Sequence, residues 1–389
     1  MGHKQRKHAL LSASGASRWI NCPPSARLED TKPSGSSVHA DEGTLAHELA
    51  DNQLRLESYT GPKGGKAKFR NEIERLTKHD LYKDEMQGYV MQYVDFVLTE
   101  WLNAKKTYGS AELLVEEKTD YSYLVPEGFG TSDANIIADD TLHIADLKYG
   151  KGVKVDAYQN SQLRLYALGL LHKFELLYDI QNVKMTIVQP RLDHIDTEEL
   201  TVEELKQWAE EIVKPAAKLA FEGKGEFKPG GHCRWCKVKP TCRALANHNL
   251  ELAKQDFAEP NELEPGELVE VLAKGELLVD WFNSVNRYML DEALNGTSYP
   301  GYKIVEGRSV RKWKDEAAAI DELEVMGYEL DQLQNHKIKG IGEIEKLVGK
   351  SEFAKLGLTI KPQGKPTLVP DSDKRPPMNG AESAKKDFS

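Results

Sequence analysis

The chain has 389 residues, with 52 Lys plus Arg against 62 Asp plus Glu and a formal net charge of −10 at pH 7. Such a length allows two domains and a substantial core. The acidic balance argues against a protein that holds nucleic acid by bulk electrostatics, although a local basic strip assisted by metal ions stays compatible with it.

From the N-terminus, MGHKQRKHALLSASGAS starts basic, but its apolar segment is too brief for a secretory signal. No apolar run approaches the roughly 18–20 residues that span a bilayer. The chain is therefore expected to be cytoplasmic, with no membrane partner. Cys22 follows in RWINCPPSARL. Residues 41–57 then read as a helix, with acids in its first turn and Leu45, Leu49 and Leu56 at near-helical spacing; His47 lies on it. Residues 60–80 read as a Gly- and Lys-rich connection, and 84–104 as a longer helix with a stripe of Met86, Val90, Val94, Val97 and Trp101.

Three strands are expected next, at 111–118, 131–137 and 142–148, the last two joined by a turn at Ala138–Thr141. If Ile137 pairs with Leu142, Asp133 falls opposite Asp146, roughly 4.5–5.5 Å apart at Cβ, and Lys148 projects from the same face. A three-residue turn would shift the register by one and spoil this geometry. Two carboxylates held so close repel, which protonation of one or a cation between them would relieve. The alternative is a surface hairpin carrying two solvated acids.

A helix over 157–173 places Gln162 and Tyr166 four residues apart on one face. A strand at 183–189 follows, and Thr201 with Glu204 reads as a capping box opening a further helix. This order predicts an α/β core with a mixed sheet. Cys233, Cys236 and Cys242 then crowd into GHCRWCKVKPTCRA, and with the distant Cys22 they suit a four-ligand site, for which zinc and an iron-sulfur cluster are both open and His232 could replace Cys22. Lys224, Lys228, Arg234, Lys237, Lys239 and Arg243 against the single acid Glu226 form either a strip for phosphate backbones or an ordinary solvated loop. Beyond this, 262–294 reads as helix, 301–313 as strands and 315–357 as helix, with IKGIGEIEKL at 338–347 similar to the glycine turn of a helix-hairpin-helix DNA module. The tail from 361 is Pro-, Gly-, Ser- and Lys-rich and expected to be disordered. The expected division is 1–255, 256–360 and 361–389.

GTLAH with His47, GTSD with Asp133, DLK with Asp146 and Lys148, and QLRLY with Gln162 and Tyr166 resemble, in order, the motifs of RecB-type nucleases of the PD-(D/E)XK superfamily. One upstream cysteine with C-x-x-C-x5-C downstream is similar to the iron-sulfur branch of that family, which includes the AddB nuclease domain and the CRISPR-associated adaptation exonucleases. The resemblance covers roughly residues 10–250. Asp146 stands where many relatives carry Glu. GYKIVEGRSVRKW and KPTLVPDSDKRP resemble the C-terminal part of a phage- and prophage-borne family.

The resemblance implies a restriction-endonuclease-like mixed sheet core flanked by helices, an iron-sulfur clasp and a smaller, mainly helical C-terminal domain. It implies Mg²⁺ or Mn²⁺ on His47, Asp133, Asp146 and the Leu147 carbonyl, with Lys148 orienting the attacking water and Gln162 and Tyr166 positioning the strand or Lys148. A four-iron four-sulfur cluster would rest on Cys22, Cys233, Cys236 and Cys242, with structural zinc as the alternative. The expected activity is a DNA exonuclease resecting ends in phage recombination or replication beside a single-strand annealing protein; the alternatives are a non-catalytic DNA-end-binding module and a zinc-stapled interaction scaffold. GPKGGKAK at 61–68 is not a Walker A sequence, so any motor would come from a partner.

Overall fold

A computed structural model describes residues 9–33, 37–62, 64–255 and 265–302. The chain divides into two compact units, Met1–Ile304 and Val305–Ser389, and the described residues belong to the first. The expected strands at 301–313 (but for their first two residues), the helix at 315–357, the glycine turn at 338–347 and the tail from 361 lie outside the described residues.

Two short helices, α1 (Ala16–Asn21) and α2 (Ser25–Asp30), precede α3 (Val38–Ser58), which Ser37 caps by accepting the Ala40 N–H. Residues 60–80 are not merely a connection: α4 (Ala67–Leu76) lies within them and buries Phe69 and Leu76. The glycines at 61, 64 and 65 draw the eye away from an apolar stripe of Phe69, Ile73 and Leu76 at helical spacing. Helix α5 (Asp84–Tyr108) buries Met86, Val90, Val94 and Val97 as the stripe predicts, and ends at Gly109 in the left-handed conformation, φ 78°.

Five strands form one mixed sheet in the order β1 (Glu112–Asp120), β2 (Phe129–Ala138), β3 (Thr141–Leu147), β4 (Asn182–Gln189) and β5 (His194–Thr201). All neighbours are antiparallel except β3 and β4, which α6 (Ser161–Phe174) connects as a crossover. The β2–β3 register is the expected one: Ile137 pairs with Leu142, and Ala138 with Thr141 across a two-residue Asp139–Asp140 turn with Asp139 at φ 52°. Asp140 also anchors the turn to β4, since its carbonyl accepts the Gln181 and Asn182 N–H groups at 2.8 and 3.0 Å. Helix α6 starts at Ser161, four residues later than expected, behind the cap residue Asn160, whose side chain accepts from the Gln162 and Leu163 N–H groups.

Helices pack on both faces of the sheet. One core joins β2–β4 to α1, α6, α7 (Val202–Trp208) and α8 (Lys214–Glu222); the other joins the sheet to α3, α4 and α5. Thr201 and Glu204 form the expected capping box at the start of α7. Beyond α8 come α9 (Arg243–Gln255) and α10 (Pro265–Leu294).

The sequence gives no expectation of β5, for a physical reason. Its inward positions are Asp196 and Glu198, so there is no apolar alternation to read. These acids hold the segment that leads into α6. Asp196 accepts the Ala157 N–H at 2.9 Å, Glu198 accepts the Gln159 N–H at 3.0 Å, and Gln189 of β4 accepts the Val155 N–H and donates to the Gly150 and Val153 carbonyls. Glu198 also receives two bonds from the Arg164 guanidinium, at 3.0 and 2.5 Å, with both side chains buried. Glu198→Ala strands a buried guanidinium and an unsatisfied N–H, so it should cost about 3–5 kcal/mol of stability by urea unfolding. A loss below about 1 kcal/mol would mean that this pair does not hold α6 in place.

Candidate active site

The β2–β3 ladder ends at Ala134–Ala145, one residue short of the two aspartates. There the Asp133 side chain replaces a ladder bond: its Oδ2 accepts the Leu147 N–H at 2.9 Å. Helix α3 brings His47 to the same oxygen, with Nδ1 at 3.1 Å. Asp146 turns the other way. Its Oδ2 lies 2.7 Å from Lys148 Nζ and its Oδ1 3.5 Å from Gln162 Nε2. Lys148 also donates to Gln162 Oε1 at 3.0 Å, and Gln162 donates to the Tyr166 hydroxyl at 3.1 Å. Gly130 lets the Tyr166 ring lie against β2, since a Cβ there would sit 2.8 Å from Tyr166 Cε1.

The structure thus brings together His47, Asp133, Asp146, Lys148, Gln162 and Tyr166, but it splits them. The repulsion expected between the aspartates is relieved by one side-chain cation for each. Burial opposes charge on His47, yet the attraction and hydrogen bond of Asp133 more than offset it and lift its pKa to about 9. Asp133 is driven up by burial but brought below its ordinary value by His47 and the Leu147 N–H. Asp146 stays above its ordinary value because burial outweighs the pull of Lys148.

One site residue escapes the sequence reading. Glu116 of β1 lies with His47 and Asp133 such that one ligand atom from each falls within 4.8 Å of the other two. Nothing in EEK marks it, since a glutamate in a half-exposed strand reads as solvated. The set fits a divalent ion: one imidazole and two carboxylates are donors that Mn²⁺ and Mg²⁺ accept, over a span that ligand distances of about 2.0–2.2 Å can close with small shifts.

The four cysteines also meet. Cys22, at the end of α1, lines one cavity with Cys233, Cys236 and Cys242, all as free thiols. The last three are placed by tight turns, Gly231–Trp235 and Lys239–Thr241. Glu29 of α2 joins the N-terminal helices to the cysteine turns, accepting from Arg18 Nε at 2.9 Å and from the Lys237 N–H at 2.8 Å. Burial raises the thiols of Cys22 and Cys233 and pushes Cys236 up to about 12. Thiolates here require a cation, and four sulfurs around one cavity fit either zinc or an iron-sulfur cluster. His232 lines the same cavity, with Nε2 donating to the Lys228 carbonyl at 2.8 Å.

The basic strip is partly neutralised. Lys239 pairs with Asp280 of α10 at 2.7 Å, Arg234 lies 3.8 Å from Glu276 of α10, and Lys224 lies 3.0 Å from Glu222.

A model for a family described as a protein of unknown function (DUF2800) matches residues 8–376. Among solved structures the chain is similar to a candidate exonuclease from Eubacterium rectale, at 11% identity over 69% of this chain and 98% of that one, with a TM-score of 0.34. It is also similar to SSO0001, at 13% identity over 59% of this chain and 96% of that one, with a TM-score of 0.25. Likeness at this level carries no argument about chemistry.

Proposed function

We propose that this chain, which belongs to the DUF2800 family of proteins of unknown function, is a divalent-metal-dependent DNA exonuclease with a restriction-endonuclease-like core of the iron-sulfur RecB type. One observation carries the reading: Asp133 and Asp146 stand just past the point where two strands stop pairing, the first against His47 and the second against Lys148 and Gln162. This is an arrangement of chemistry, since pairing and packing alone have no use for a buried acid, Asp146, and a half-buried one, Asp133, at an open strand end.

His47, Asp133 and Asp146, with the Leu147 carbonyl, would hold Mg²⁺ or Mn²⁺. When bound, the metal supplies Lewis acidity at a phosphodiester oxygen and acidifies water. Lys148 holds the attacking water and meets the negative charge that grows on the phosphorus oxygens. Gln162 keeps the Lys148 ammonium in place through the 3.0 Å bond, and Tyr166 fixes Gln162 in turn. Cys22, Cys233, Cys236 and Cys242 would carry a four-iron four-sulfur cluster that clasps the two ends of the nuclease unit, with structural zinc as the alternative. The substrate is DNA ends, single- or double-stranded, and the setting is phage recombination or replication in the bacterial cytoplasm, beside a strand-annealing partner.

The test is to incubate purified protein with end-labelled single- and double-stranded DNA, adding Mn²⁺, Mg²⁺ or EDTA, while recording the visible absorption. Metal-dependent release of nucleotides from ends is expected. Binding of ends without hydrolysis would replace this reading with a non-catalytic end-binding module, and neither binding nor hydrolysis would sink both.

A further inference from the structure

Glu116 occupies an unusual place in β1. Val115 pairs with Ala134 and Glu117 with Ser132, so the register sets Glu116 opposite Asp133. Yet its φ is 53°, left-handed backbone in the middle of a strand. A non-glycine residue held there costs on the order of 1–3 kcal/mol and persists only when its surroundings enforce it. The enforcement is visible on α3. Arg55 donates to the Val115 carbonyl at 2.7 Å and is itself held by Asp51 at 2.5 Å, so the helix grips the residue just before the kink. His47, Asp51 and Arg55 are spaced by four along α3 and share the face that meets β1.

The outcome is a carboxylate placed among like charges. Ligand atoms of Glu116, His47 and Asp133 all lie within 4.8 Å of one another, and Asp51 adds a further negative charge nearby. A bound cation would relieve the repulsion between Glu116 and Asp133. The imidazole of His47 among the donors makes this a mixed ligand set, not a plain acidic cluster.

We infer that Glu116 is a ligand of the divalent cation, so that His47, Glu116 and Asp133 hold it together, one donor each from α3, β1 and β2. Asp146 of β3, beside Lys148, is the remaining side-chain donor of the set. This deepens the metal-dependent reading of the same site and rests on it.

The test is Mn²⁺ binding without DNA, by calorimetric titration and by the EPR signal of free Mn²⁺. Wild type is expected to bind. Glu116→Gln keeps the shape and removes a like charge, so it should fold and melt no lower than wild type, while its Mn²⁺ affinity falls at least about tenfold. Glu116→Asp keeps a carboxylate on a shorter arm and should recover part of that loss. Equal Mn²⁺ affinity in wild type and Glu116→Gln would overturn Glu116 as a ligand while leaving metal-dependent cleavage by wild type standing. A wild type that binds no Mn²⁺ would overturn both.

Discussion

Asp146→Asn is expected to leave a folded protein whose metal-dependent hydrolysis of DNA falls by about 10²–10³-fold or more. The side chain is 3% exposed, so its environment is set by protein and not by water. Asn keeps the size of Asp and an oxygen that can accept from Lys148, but it removes the negative charge that a divalent ion needs. Lys148→Ala tests a different thing. It removes the ammonium that would meet developing charge, and it also leaves Asp146 buried without its 2.7 Å partner, so activity and melting temperature should fall together. Comparing the two variants separates chemistry from support: the Asn variant should lose activity without losing stability. Digestion at wild-type rates by Asp146→Asn would end the nuclease reading of this site.

Cys233→Ser is expected to have the largest effect on stability. Cys233 is buried and lines the cavity with Cys22, Cys236 and Cys242, so one group bound there would tie the start of the unit to turns far along the chain. Closing a loop of roughly 200 residues contributes about 5 kcal/mol on the chain-entropy model, comparable to the whole stability of many domains. The variant should therefore lose the visible absorption of the cluster and melt far lower, or fail to accumulate as folded protein. Stripping the metal from wild type should reproduce the loss. A colourless wild type with stoichiometric zinc would replace iron by zinc, and a Cys233→Ser variant as stable as wild type would mean that the cavity holds no structural group.

Much of the fold was legible because its signals are local. The stripe of Met86, Val90, Val94 and Val97 marks α5, and Thr201 with Glu204 marks the start of α7. The site was legible where it rests on periodicity. Side chains alternate along a strand, so the Ile137–Leu142 pairing was enough to set Asp133 near Asp146, and Gln162 reaches Tyr166 because they are one helical turn apart. Among the elements that escaped, two did so because their signals were masked or inverted. The glycines at 61–65 hid α4, and β5 turns acids inward to bind backbone N–H groups of the segment before α6.

The sequence by itself determined the order of the long helices and of the first four strands, and the hairpin register, since these follow from short-range periods and turn chemistry; that His47 joins the aspartates was expected only from the resemblance. Only the tertiary structure decided which acid faces which cation, that Glu116 joins His47 and Asp133, and that Cys22 reaches three cysteines far along the chain. Those choices depend on burial and on contacts between distant segments. Desolvation makes an unpaired charge costly in the folded protein, and that cost exists only once the packing that excludes water is in place.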